Sequence, residues 1–232
     1  VGEDQISAAS IVLATGASPK NLPHVAVDGD RVWDARSAMT PAFLPGKLLI
    51  IGAGAIGVEF ASFYKSMGSE VTLIEMMDQI LPAEDSEVAE KAKESFSSQG
   101  IKVLTGTGIE SLEIKKNGLL ASIAGAEEKF DAAILSVGVE GNTKGMGLEG
   151  LGVELEGGFV LVDEHQQTSV EGVYAIGDVS GVPCLAHKAS HEGVICAEAI
   201  AGELPSPINK NRIPGCTYSY PQIASVGLTE RE

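Results

Sequence analysis

An apolar run, Leu48-Leu49-Ile50-Ile51, leads directly into Gly52-Ala53-Gly54-Ala55-Ile56-Gly57, a glycine spacing suited to holding a pyrophosphate without a lysine. Gly52 permits a tight turn, Gly54 lets the backbone approach a ligand, and Gly57 lets a following helix pack closely on its strand. The first NH groups of that helix, with the positive end of its dipole, attract the anion. Ala53, Ala55 and Ile56 complete the cradle. Glu75 follows Gly57 by 18 positions, at the end of the next apolar run, where an acid accepts hydrogen bonds from an adenosine ribose. It would repel a 2′-phosphate, and Met76-Met77-Asp78-Gln79 contains no arginine to receive one. These residues point to NAD rather than NADP.

Other reactive side chains carry less information. Glu59 stands in the first turn of the same helix, where the dipole favours an acid whatever is bound. Asp178 follows a buried strand and a glycine; there an acid meets a ligand hydroxyl or caps the next turn. His187 and His191 are four apart on a helix, but no third ligand accompanies them, so no metal is expected. Cys184, Cys196 and Cys216 are widely spaced and odd in number, and read as buried reduced thiols.

The elements that must position these groups alternate. Ile11-Val12-Leu13-Ala14 reads as a buried strand delivering Thr15-Gly16, with no partner nearby in sequence. Residues 18–47, with prolines at 19, 23, 41 and 45, read mostly as loop. After Ile51, the apolar positions Ile56, Phe60, Phe63, Tyr64 and Met67 predict a helix that ends near Gly68, and Val71–Glu75 is the next strand. A helix capped by Asp85 or Ser86 runs to about Gln99, and Ile101–Leu104 is a third strand. Asn117-Gly118 marks a hairpin within residues 109–131, followed by the apolar run Ala132–Val137 and Gly138. Val173–Ile176 is a further buried strand ending in Gly177-Asp178, and a helix covers about His187–Ala201.

The 232 residues are 44% apolar, enough for a large core, and contain no run long enough to span a membrane. The start, Val1-Gly2-Glu3-Asp4, lacks the flank and apolar stretch of a signal peptide, so a cytoplasmic location is expected. A net charge of -16, spread along the chain, excludes nucleic acid and anionic membrane as partners. The chain opens without methionine and ends on the helix-favouring Thr229-Glu230-Arg231-Glu232, so it reads as part of a longer protein.

Taken together, Ala14-Thr15-Gly16-Ala17-Ser18, Gly52 to Glu59, Thr168 to Asp178, Leu185-Ala186-His187-Lys188-Ala189 and Pro221 to Glu230 resemble the pyridine nucleotide disulfide oxidoreductases, over essentially the whole chain. Within that family the likeness is to the branch that reoxidises protein-bound dihydrolipoyl groups for the 2-oxo acid dehydrogenase complexes. The resemblance implies an α/β fold of three-layer ββα type, a Rossmann-like NAD-binding domain inserted in an FAD-binding domain. Its divisions would be residues 1–44 (first FAD segment and linker), 45–142 (NAD domain), 143–213 (second FAD segment) and 214–232 (start of an interface domain). By resemblance, Thr15, Gly16 and Ala17 line the FAD site, Asp178 meets the ribityl and phosphate side of the flavin, and Cys184, Leu185, Ala186 and His187 approach the isoalloxazine. Ile56 and Glu59 become neighbours of the nicotinamide, and Ile109 and Gly138 contacts of NAD.

The implied reaction passes electrons from dihydrolipoamide through a protein disulfide and FAD to NAD+. A homodimer and a lipoyl-bearing partner are implied with it. No C-x-x-x-x-C pair, first FAD fingerprint or terminal His and Glu segment stands in this sequence, so the chain alone is not expected to turn over. Gly138-Val139-Glu140-Gly141-Asn142 also departs from the arginine and proline common at that turn. The alternatives are another disulfide reductase, of mercuric or glutathione type, and a non-catalytic NAD(H)-binding module.

Overall fold

The computed structural model describes residues 5–232; the leader-free start read at residues 1–4 lies outside the described residues. The chain forms two compact units, one of residues 1–18 with 139–213 and one of residues 19–138 with 214–232. The second is thus largely inserted in the first.

Taking the inserted unit in chain order, its elements are β1 (Val32–Trp33), α1 (Ala35–Met39), β2 (Lys47–Ile51), α2 (Ala55–Ser66), β3 (Glu70–Ile74), α3 (Ser86–Ser98) and β4 (Lys102–Leu104). Three antiparallel strands follow, β5 (Ile109–Lys115), β6 (Gly118–Ile123) and β7 (Ala126–Phe130), and then β8 (Ala132–Leu135). Five strands make a parallel sheet in the order β1-β8-β2-β3-β4. Because β2 is buried on both faces, its run is apolar throughout. Leu48 and Ile50 pack in one cluster with Val58, Ala61, Tyr64 and Phe96 of the helices. Leu49 and Ile51 pack in another with Leu119, Ala121, Ile123 and Phe130 of the antiparallel sheet. The three layers are therefore helices, parallel sheet and antiparallel sheet, the ββα type the family resemblance implied.

One expectation needs correction here. Residues 18–47 are not simply loop: β1 and α1 lie there, and Trp33 is buried against Phe43 and Tyr64. The pattern is hidden because β1 is only two residues long, and Asp34 starts α1 through a capping box with Ser37. The helix expected from the spacing of Ile56, Phe60, Phe63, Tyr64 and Met67 is α2, although Phe63 and Met67 are each 54% exposed. The buried face is Gly57, Val58, Ala61, Ser62 and Tyr64, with Phe60 partly buried against the same cluster.

The turn before β1 depends on one carboxylate. Asp28 Oδ1 accepts the backbone NH groups of Asp30, Arg31 and Val32 at 2.8–2.9 Å. Burial pushes this carboxyl up, but the backbone donors outweigh it and hold the acid below its ordinary value of 3.8. A depressed folded pKa contributes stability that is present above the ordinary value and lost as pH falls through the folded one. Asp28→Asn should therefore flatten the loss of stability below about pH 4, measured by urea unfolding at several pH values; an unchanged pH slope would contradict the assignment.

In the other unit, Ile11–Leu13 pairs in parallel with Val173–Ala175, the distant partner that the sequence could not name. Only Leu13 of the first strand is buried; Ile11 and Val12 are exposed, correcting the expectation of a buried strand, because this ladder has two strands among the described residues. A single 3-10 turn, Gly177–Ser180, precedes α4 (Ala186–Ile200). Of the cysteines, Cys196 is buried, Cys184 half-buried and Cys216 exposed, so the expectation of three buried thiols holds for one. The terminal stretch Thr229–Glu232 is a turn rather than a helix, closed by Thr229 and the Glu232 carboxylate.

Candidate functional site

The glycine turn sits at the C-terminal end of β2 and opens α2, whose N-cap Gly54 supplies no side-chain hydrogen bond. The NH groups of the first helical turn have no intrahelical acceptor and are available to an anion. Gly52 has φ +99°, and a Cβ there would collide with the Ser136 carbonyl oxygen. At Gly57 a Cβ would collide with the Gly52 carbonyl oxygen and lie 2.7 Å from Ser136 Oγ. By contrast, nothing lies within 4 Å of a Cβ built on Gly54. Two glycines are thus required by the protein's own packing, and the third leaves open space where a ligand's backbone contact would be.

Ser136 completes this arrangement. Its Oγ lies 3.0 Å from the Ile51 oxygen and 2.8 Å from the Gly52 oxygen, and so ties the end of β8 to the turn. Sequence reasoning passed over it, because a lone serine after an apolar run carries no motif. Gly138 stands two residues further on with φ +103°, and its oxygen accepts the Lys20 NH at 2.9 Å. Glu75 lies just beyond β3; its Oε2 accepts the Ala53 NH at 2.7 Å and its Oε1 the Met77 NH at 2.9 Å. The acid expected to meet a ribose therefore also clamps the cradle. Ile109 begins β5 and packs against the cluster under the antiparallel sheet, two residues after Thr107, whose NH donates to the Glu75 oxygen. Glu59 does more than serve the helix dipole: its Oε1 accepts the Tyr218 NH at 2.8 Å, while Ser62 Oγ accepts that of Tyr220.

The other unit brings together a second group of expected residues. Parallel pairing of Ile11–Leu13 with Val173–Ala175 puts both carboxyl ends on one side, so the Thr15-Gly16 and Gly177-Asp178 turns are neighbours. Asn142, unmarked in the sequence, secures the first: its Nδ2 donates to the Thr15 oxygen, its oxygen accepts from Thr15 Oγ1, and its NH donates to the Gly16 oxygen. Ala17 follows directly, and Ser18 Oγ donates to Asn142 Oδ1. Leu185 is the N-cap of α4 without a side-chain cap, with Ala186 and His187 in its first turn. Burial pushes the Cys184 thiol up, and the nearby Asp178 and Glu192 carboxylates add to this while Lys188 opposes it. Cys184 is thus held as a neutral thiol. Among the described residues no three metal-ligating side chains converge, His187 and His191 included, and no helix is long and apolar enough to cross a membrane.

Comparison with known proteins decides the family. Residues 1–193 match the profile described as pyridine nucleotide-disulphide oxidoreductase. The chain belongs to that family. Curated members similar to it include a dihydrolipoyl dehydrogenase of Zymomonas mobilis, 49% identical over all of this chain and 51% of that protein, and one of Rhizobium etli, 46% identical over 99% of the chain and 49% of that protein. Among solved structures of the family, LpdA from Mycobacterium tuberculosis matches with a TM-score of 0.89 and 32% identity, covering 96% of this chain and 49% of that one. The HOCl-induced flavoprotein disulfide reductase RclA from Escherichia coli matches with a TM-score of 0.87 and 27% identity, covering 96% and 52%. The chain spans about half the length of the curated family members it matches.

Proposed function

We propose that the complete protein is an NAD-dependent flavoprotein dihydrolipoyl dehydrogenase, which oxidises a protein-bound dihydrolipoyl group and passes the electrons by way of FAD to NAD+. The choice of substrate rests on relatives of that name, 46–49% identical across nearly the whole chain. The choice of nucleotide rests on one observation, the Glu75 carboxylate fixed at the rim of a turn whose Gly54 faces open space.

The residues present fit the groups this reading requires. Gly52 to Gly57 would hold the NAD pyrophosphate, Glu75 the adenosine ribose, Ile56 and Glu59 the nicotinamide, with Ile109 and Gly138 as further contacts. Thr15, Gly16 and Ala17, Asp178, and Cys184 to His187 would hold FAD. The exposed apolar Ile11 and Val12 and the uncapped start of α4 are consistent with a further layer and an electron-rich ring end there. Bound flavin would supply two-electron chemistry; the chain's own residues orient it and exclude water. The divisions at 142 and 213, a homodimer, a lipoyl-bearing partner and a cytoplasmic location belong to the same proposal.

The nucleotide assignment is tested by equilibrium titration. NADH should bind at least about tenfold more tightly than NADPH, a difference of roughly 1.4 kcal/mol. Glu75→Arg should erase that preference without creating a good NADPH site, because the Ala53 NH loses its acceptor as well. Equal affinity of the unmodified protein for both nucleotides would defeat the ribose argument. Reduction of NAD+ by dihydrolipoamide, followed at the NADH absorption band, tests the reaction.

A further inference from the structure

The helix α4 carries a charge pair that the proposed function does not use. Lys188 and Glu192 stand one turn apart, with side chains only 4% and 7% exposed and Nζ 2.9 Å from Oε1. An i,i+4 pair of opposite charge reads in sequence as a solvated helix face; here both charges point inward at the 3-10 turn. Lys188 Nζ donates to the oxygens of Gly181 at 3.0 Å and Gly177 at 3.3 Å, and lies 3.4 Å from Ser180 Oγ. Glu192 and the Gly177 and Gly181 oxygens together account for the three ammonium protons. Glu192 Oε2 accepts the Gly177 NH at 2.7 Å, and Ser180 Oγ lies 3.3 Å from both carboxylate oxygens while donating to the Gly177 oxygen at 2.7 Å.

Stability alone is a poor reason for such a pair. Two charges lose their hydration on burial, and well-packed apolar residues in their place are often as stable or more so. What apolar residues cannot do is bond the backbone of a turn at both ends. The pair grips the turn at Gly177 and Gly181, and Asp178 lies between those two points.

We propose that Lys188 and Glu192 are positioning residues, which hold the Gly177–Gly181 turn in the shape that presents Asp178 to the ribityl and phosphate groups of a flavin. This rests on the reading above that Asp178 meets the flavin. The pair touches no cofactor atom in this role; it acts through the turn.

The test uses the complete flavoprotein, stripped of flavin and titrated with FAD. The double substitution Lys188→Met/Glu192→Leu removes both charges together. Its flavin-free form should melt within a few degrees of the unmodified protein, while the FAD dissociation constant rises tenfold or more and the visible circular dichroism of the bound flavin changes. Glu192→Gln keeps the side-chain volume and an acceptor for the Gly177 NH, and should raise the constant at least threefold even if the double variant folds poorly. Asp178→Asn is the reference. If Asp178→Asn weakens FAD while both pair variants keep the unmodified constant and spectrum, the positioning role is overturned and the flavin reading stands. If all three leave FAD binding unchanged, the flavin reading of the turn falls, and the proposal with it.

Discussion

Gly57→Ala should lower the stability of the inserted unit by about 3 kcal/mol and weaken NADH binding at least tenfold. The added methyl has nowhere to go: it meets the Gly52 carbonyl oxygen, which belongs to the turn itself, and Ser136 Oγ, which is bonded to that same oxygen. Backbone on a strand end cannot swing away as a flexible side chain can, so α2 must lift from β2. For a unit of this size the loss corresponds to a fall in Tm on the order of 10 °C. Gly54→Ala is the companion measurement. Its methyl points into open space, so the melting temperature should move by no more than about 4 °C, the scale of a weaker N-cap. NADH binding should nonetheless fall about tenfold, because the methyl occupies the ligand's approach. If both variants melt alike and bind alike, the separate roles given to the two glycines are wrong.

Trp33→Ala should cost about 4 kcal/mol, the range for removing a large buried aromatic side chain. Trp33 is 1% exposed; its ring lies 5.5 Å from that of Phe43 and 6.1 Å from that of Tyr64, and its Nε1 donates to the Asp30 oxygen at 3.1 Å. Truncation would leave a cavity at the β1 edge of the parallel sheet. Tyr64 would lose a stacking partner while its hydroxyl remained bonded to the Ala38 oxygen. Trp33→Phe keeps much of the ring contact and should cost less than half as much. Thermal unfolding followed by circular dichroism reads the difference, and equal stability of the two variants would contradict a packed role for β1.

The uneven legibility of the chain has physical causes. The β2-α2-β3 unit was readable because a strand buried on both faces must be continuously apolar and because close helix-to-strand packing demands glycine at fixed steps. Asp85 at the start of α3 was equally plain, since an N-cap acts within three residues. In contrast, β1 is two residues long and α1 five, too short for any period to show. Apolar spacing located α2 but not which of its large residues are buried: Tyr64 is 1% exposed, whereas Phe63 and Met67 are each 54% exposed.

Local sequence therefore determined the glycine cradle, the acid at the end of β3, the order of the major strands and helices, and the family, because each depends on contacts within one or a few turns of chain. The tertiary structure alone decided which distant residues serve the two candidate sites. Ser136 reaches the glycine turn across 84 positions, Asn142 locks Thr15 across 127, and Glu75 closes on Ala53 across 22. Lys188 and Glu192 are only four positions apart in sequence, yet whether such a pair faces water or a turn is set by what packs against the helix. Side-chain type specifies what a group can donate or accept; only the pairing of strands and the seating of helices specifies to whom.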